Sequence, residues 1–92
     1  GNDLIAKGVI EECTSRGFNV PEDISVVGFD DIPLAAALTP PLSTIAQDRN
    51  AIGRCAYTVL NSLIHHVAIS MTLLRPKLIE RESTTRVPAK RK

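Results

Sequence analysis

Gly17-Phe18-Asn19-Val20-Pro21-Glu22-Asp23-Ile24-Ser25-Val26-Val27-Gly28-Phe29-Asp30-Asp31 is the stretch on which the reading of this 92-residue chain turns. Gly17 stops a helix, Pro21 bars its continuation, and a run rich in β-branched residues follows and ends on two carboxylates. The near-continuous apolarity of Ile24-Ser25-Val26-Val27-Gly28-Phe29 suits a strand covered on both faces, as in a parallel sheet. Working upstream, residues 3–17 read as a helix. Ile5, Ala6, Val9, Ile10 and Cys13 recur at the three- and four-residue spacing of a buried stripe, while Lys7, Glu11 and Glu12 face outward. Asn2 or Asp3 supplies the N-cap, and Gly17 fits the C′ position. Helix followed by buried strand is half of a βαβ unit, so a strand feeding the helix is expected just before Gly1.

Downstream, the apolar residues 32–38 predict a short helix before Thr39-Pro40-Pro41, which must be extended or turning. Residues 42–46 are a second short strand candidate. Asp48 then caps the longest helix, residues 49–66, with Ile52, Ala56, Val59, Leu60, Leu63, Ile64 and Val67 as its buried stripe. Residues 71–74 and 77–82 read as short extended pieces interrupted by Pro76. The alternation of helix and buried strand makes the chain α/β, and the unsupplied first strand makes it part of a larger fold.

Composition narrows the function classes. The chain is 43% hydrophobic and 23% charged, enough apolar surface for a packed core rather than disorder. Its aromatic residues are Phe18, Phe29 and Tyr57, so the core is aliphatic. A formal net charge of +1 offers no nucleic-acid-binding face, and the basic Lys90-Arg91-Lys92, preceded by Arg86, reads as a solvated tail. No apolar run approaches the roughly 20 residues a membrane helix needs, and no signal peptide is visible. Cys13 and Cys55 lie far apart inside helical patterns and read as buried, reduced thiols of a cytoplasmic protein. No Ser-His-Asp set, phosphate loop or pair of histidines at metal-ligand spacing is present. His65 and His66 are adjacent on a helix and cannot share a metal as i, i+4 residues do. Asp30 and Asp31, neighbours at a strand end, point apart rather than pairing for acid–base work. The expectation is a binding protein without catalysis, cofactor or metal.

The literal residues go further than the periodicity. Asn2-Asp3-Leu4-Ile5-Ala6-Lys7-Gly8 resembles the N-D-x-x-A-x-G that opens a helix in the lactose/galactose-repressor family of bacterial transcriptional regulators. The block from Gly17 to Asp31 is similar to that family's G-x-x-V-P-x-D-x-S-V-x-G-F-D-D almost letter for letter. Pro40-Pro41-Leu42-Ser43-Thr44-Ile45 matches its P-x-L-T-T-I with one Thr-to-Ser exchange, and Gly53 and Ala56 sit at its G-x-x-A. Pro76-Lys77-Leu78-Ile79-Glu80-Arg81-Glu82-Ser83-Thr84 is similar to its closing P-x-L-x-x-R-x-S-T. These blocks follow the family order across nearly the whole chain. The connection at residues 65–70 departs from the family's short glycine-containing loop, and the helix-turn-helix head and early strands of the first lobe are absent.

The resemblance implies a partial periplasmic-binding-protein-like (type I) sugar-binding fold, with residues 1–86 forming the C-terminal part of the effector-binding and dimerisation domain and 87–92 a disordered basic tail. It implies a sugar or small-metabolite effector bound between two lobes, a homodimer through the C-terminal lobe, and operator DNA reached only through a head outside this chain. Ligands of doubly wound folds bind beyond the carboxyl ends of the strands. There the resemblance places Asp30, as acceptor of hydrogen bonds from a sugar hydroxyl or base N–H, and Asn2, as an amide contact; a helix-capping role stands beside each. Asp31 is read as a cap of the short helix, with ligand contact as the other reading. Gln47 either lines the cleft or belongs to a linker. The stretch around Ile32, Leu34, Ala35 and Leu38 covers the sheet and, by resemblance, also supplies dimer interface. A periplasmic sugar-binding protein of a transporter shares the two-lobed fold and is the alternative, as is a dimerisation remnant without ligand binding.

Overall fold

The computed structural model describes residues 2–68 and 74–87. The chain divides into two compact units, one made of residues 1–46 and 77–92 and the other of residues 47–76.

In the first unit, helix α1 spans Asp3–Ser15. Asn2 is the residue that caps it, its Oδ1 accepting from Ile5 N at 3.0 Å. The helix closes at Arg16, and Gly17 takes a φ of +85°, the left-handed C′ conformation that a side chain disfavours. Exposed i, i+4 pairs, Lys7–Glu11 and Glu12–Arg16, decorate the outer face. The inner face is narrower than the apolar spacing predicts. Ala6 and Ile10 are buried, whereas Ile5 and Val9 stay at the surface. A tight turn follows, with Asn19 N donating to Asp23 Oδ2 (2.7 Å) and Asp23 N to Asn19 O (2.8 Å).

Residues 24–29 are extended without forming a regular strand. Their single ladder contact is a parallel bridge between Val27 and Ser43. Every second N–H is nevertheless used on one side: Val26 N donates to Ser83 O, Gly28 N to Ser43 O, and Asp30 N to Ile45 O, at 2.8–2.9 Å. Val26 and Gly28 are buried, while Ile24, Val27 and Phe29 are exposed. The segment is therefore covered on one face and not on both.

Helix α2, Pro33–Ala37, begins on a proline whose fixed φ suits the first helical turn. Strand β1, Thr44–Ala46, pairs antiparallel with β2, Lys77–Ile79, in the register Thr44↔Ile79 and Ala46↔Lys77. Both strands are shorter than the sequence patterns predict, and the parallel relation is confined to the Val27–Ser43 bridge. The core is aliphatic: Ala6, Ile10, Val26, Ala35 and Leu42, with Val20 and Leu38 against it.

Helix α3, Arg49–Ile64, belongs to the second unit. Asp48 caps it through Oδ1 to Ala51 N (2.9 Å), and His65 closes it with Nδ1 at 2.8 Å from Asn61 O. The stripe Ile52, Ala56, Val59, Leu60, Leu63, Ile64 and Val67 is exposed rather than buried. Periodicity identifies the face that favours cover; it does not supply the cover. Cys13 and Cys55 are free and half-buried, more open than the sequence suggested. The predicted extended piece at 71–73 and the tail from 88 onward lie outside the described residues, and Leu74 is irregular. No helix among the described residues is long and apolar enough to cross a membrane.

Candidate functional site

The end of the extended segment and the start of α1 are brought together by one backbone bond, Asp3 N donating to Phe29 O at 3.1 Å. Asn2 and Asp30, adjacent in sequence to these two residues, thus share one end of the first unit. There the chain makes an abrupt turn, with φ of +107° at Asp30 and +55° at Asp31. Consecutive non-glycine residues in this region cost about 1–3 kcal/mol each and persist only where surrounding contacts over-determine them. Aspartate is among the residue types that tolerate it best.

Those contacts are visible. Asp3, at the first position of α1, is 1% exposed and turns its carboxylate away from the helix. Its Oδ1 accepts from Thr44 Oγ1 (2.7 Å) and its Oδ2 from Ile32 N (2.8 Å). Thr44 Oγ1 also accepts from Asp31 N at 3.3 Å. Gly28 leaves room for this carboxylate, since a Cβ there would lie 2.1 Å from Asp3 Oδ1 and 2.8 Å from Leu42 Cδ2. Asp31 does not cap α2, whose N-cap Ile32 makes no side-chain cap bond. It pairs instead with Arg81, Nη2 to Oδ1 at 2.9 Å, while Arg81 Nη1 donates to Leu42 O at 2.9 Å. A second buried junction lies behind the turn: Ser83 Oγ donates to Val26 O (2.6 Å) and accepts from Ser43 N (2.8 Å).

The other sequence candidates fall elsewhere. Gln47 is exposed and belongs to the second unit, where it borders a cavity of about 230 Å³ together with Asp48, Ile52 and Arg75. Ala35 is fully buried in the core, and Leu38 packs against that core. Leu34 is exposed and Ile32 half-buried. A groove of about 320 Å³ beside Asn2 is otherwise apolar, lined by Ile5, Val9, Val27 and Phe29 among others. Among the described residues no group of three or more His, Cys, Asp or Glu is placed to hold a metal ion. Sequence reasoning passed over Asp3 as a site residue, Thr44, Arg81 and Ser83. All four stand in the quoted blocks, but nothing local marks an acid for burial or pairs it with a base fifty positions away.

The model of the periplasmic binding protein-like domain matches residues 1–84. The chain belongs to that family. Within it, the chain is 40% identical over 89 residues to the HTH-type transcriptional repressor CytR of Escherichia coli, covering 95% of this chain and 26% of that protein. It is 42% identical over 74 residues to the ribose operon repressor of Bacillus subtilis, covering 80% and 23%. Among solved structures it superposes on the Lac repressor dimer bound to operator and the anti-inducer ONPF with a TM-score of 0.86, at 36% identity, covering 94% of this chain and 30% of that one. The chain thus spans about a quarter of the length of the curated relatives it matches. The resemblance read from the V-P-E-D-I-S-V-V-G-F-D-D block holds: the relatives are repressors of that type, and the matched part is the periplasmic-binding-protein-like portion rather than a DNA-reading head.

Proposed function

We propose that this chain is the ligand-sensing portion of a cytoplasmic transcriptional regulator, binding a sugar or related small metabolite through Asp30 and Asn2. The observation that carries the reading is the placement of Asp30. It ends the extended segment in a strained turn beside the head of α1, at the carboxyl end where this class of fold receives ligands. A carboxylate there offers several acceptor positions, and charge-assisted bonds are about twice as strong as neutral ones, which suits a polyhydroxylated ligand. Asn2 spends Oδ1 on the helix cap; its amide N–H groups are the complementary donors. In the whole protein, ligand binding shifts an equilibrium between two arrangements of the sensing domain, and the shift alters operator affinity. The exposed Leu34 with Ala36 and Ala37 offers a small apolar patch for a second copy; the structurally similar Lac repressor is a dimer.

D-Ribose is the first ligand to try, because a ribose operon repressor is among the relatives. Calorimetry on the full-length protein is expected to show saturable binding that Asp30→Asn weakens by about 1–3 kcal/mol with the fold intact. Unchanged affinity in Asp30→Asn would return Asp30 to a purely structural role.

A further inference from the structure

Two side chains, Asp3 and Thr44, hold the turn that carries Asp30, and neither belongs to the proposed ligand contacts. Three bonds converge on residues 29–32. Asp3 N donates to Phe29 O, Asp3 Oδ2 accepts from Ile32 N, and Thr44 Oγ1 accepts from Asp31 N while donating to Asp3 Oδ1. Asp30 N is fixed from the β1 side by Ile45 O. The strained backbone is thus gripped on both flanks, and the grip is dry, because Asp3 is 1% exposed and Thr44 fully buried. A buried carboxylate with two short donor contacts is a rigid anchor, and a supporting shell of this kind fixes the direction of a contact residue.

We infer that Asp3, acting with the Thr44 hydroxyl, is a positioning residue for ligand: it sets the left-handed turn that aims Asp30 without touching the ligand itself. The inference rests on the reading of Asp30 as a ligand contact. It assigns the acid at the start of α1 a task distinct from the helix cap, which Asn2 performs. It also accounts for the bare backbone at Gly28, where a Cβ would meet the Asp3 carboxylate.

Asparagine at position 3 keeps one acceptor but turns an N–H₂ toward a second donor, so one of the two contacts is lost. Thr44→Val removes the bridging hydroxyl at nearly constant volume, and Thr44→Ser retains it. In the full-length protein, hydrogen exchange is expected to rise about tenfold or more at the Asp31 and Ile32 amides in Asp3→Asn and Thr44→Val, with Thr44→Ser like the wild type. D-Ribose affinity measured by calorimetry should fall about tenfold in the first two and within about twofold in the third. Ile10→Ala, which loosens the core away from the turn, serves as the control for general destabilisation and should leave affinity near wild type. Exchange at Asp31 and Ile32 unchanged in Asp3→Asn and Thr44→Val overturns the inference, as does an affinity loss of equal size in Ile10→Ala. If Asp30→Asn abolishes binding while Asp3→Asn and Thr44→Val bind normally, the positioning role is wrong and the ligand reading stands. If Asp30→Asn binds normally, the ligand reading is wrong, and positioning for ligand is lost with it. Should D-ribose give no heat with the wild type, the ligand reading fails for ribose and positioning for that ligand is lost with it, whatever the exchange at Asp31 and Ile32. Should Asp3→Asn not fold, the Thr44→Val and Thr44→Ser pair decides.

Discussion

Asp31 and Arg81 are separated by fifty positions of sequence and meet as an ion pair of 2.9 Å, with the acid 28% and the base 21% exposed. The same guanidinium reaches Leu42 O, and Arg81 N donates to Ser43 Oγ, so one residue ties the C-terminal segment to the strained turn and to the approach of β1. A planar fork with several donors can do this; a lysine cannot satisfy both acceptors in the same geometry.

That pair should behave unlike the helical ion pairs on the surface of α1. A double-mutant cycle on Asp31 and Arg81, read by urea unfolding, is expected to give a coupling of about 1–2 kcal/mol. The same cycle on Lys7 and Glu11, whose side chains are 39% and 63% exposed, should give no more than about 0.5 kcal/mol. Equal couplings would show that burial adds nothing at Arg81.

Ser83 is a small residue with a large predicted effect. Its fully buried hydroxyl serves Val26 O and Ser43 N together. Ser83→Ala leaves both backbone groups without this partner in a dry site and should lower stability by about 2–3 kcal/mol, measured by denaturant midpoint at constant m. Ser25→Ala, at an exposed position bonded to Thr85, should change it by less than about 1 kcal/mol.

At Gly28 the obstacle to a side chain is steric. The new Cβ of Gly28→Ala would press on the Asp3 carboxylate and Leu42, costing about 1–3 kcal/mol. In an Asp3→Ala background part of that penalty should vanish, since the 2.1 Å contact is gone and only the Leu42 contact remains. Strict additivity of the two substitutions, measured by thermal unfolding, would refute the proposed contact.

Asn2 allows capping and ligand contact to be separated by one substitution. Asn2→Asp keeps the cap acceptor that Ile5 N uses and removes the amide donors. Melting temperature should hold while D-ribose affinity drops; Asn2→Ala should lose about 1 kcal/mol of stability as well. Unaltered affinity in Asn2→Asp would leave Asn2 as a cap alone.

What the sequence disclosed follows from the range of each signal. The ends of α1 and α3 were legible because Asn2, Gly17 and Asp48 act within four residues of themselves, and the proline at the start of α2 presets its own φ. Asp30 is singled out by a literal motif whose geometry no local rule gives. The bonds that shape its surroundings join Asp3 to Thr44, Ser83 to Val26 and Arg81 to Asp31, across 41, 57 and 50 positions. Periodicity carries no information at that distance. For the same reason the apolar stripe expected to be buried on α3 is exposed, and the run at 24–29, expected to be covered on both faces, turns only Val26 and Gly28 inward.

The first unit is assembled from two separate stretches of chain, and that order has a consequence during synthesis. Val26 and Ser43 are made before the residue whose hydroxyl joins them, Ser83, and the partner strand of Thr44–Ala46 likewise comes only after the intervening unit. As the ribosome works toward the C-terminus, Asp31 and Leu42 lack Arg81 until residues 77–83 are made. Completion of this unit therefore waits on translation of residues 77–84, and a nonsense codon anywhere before Arg81 removes the clasp.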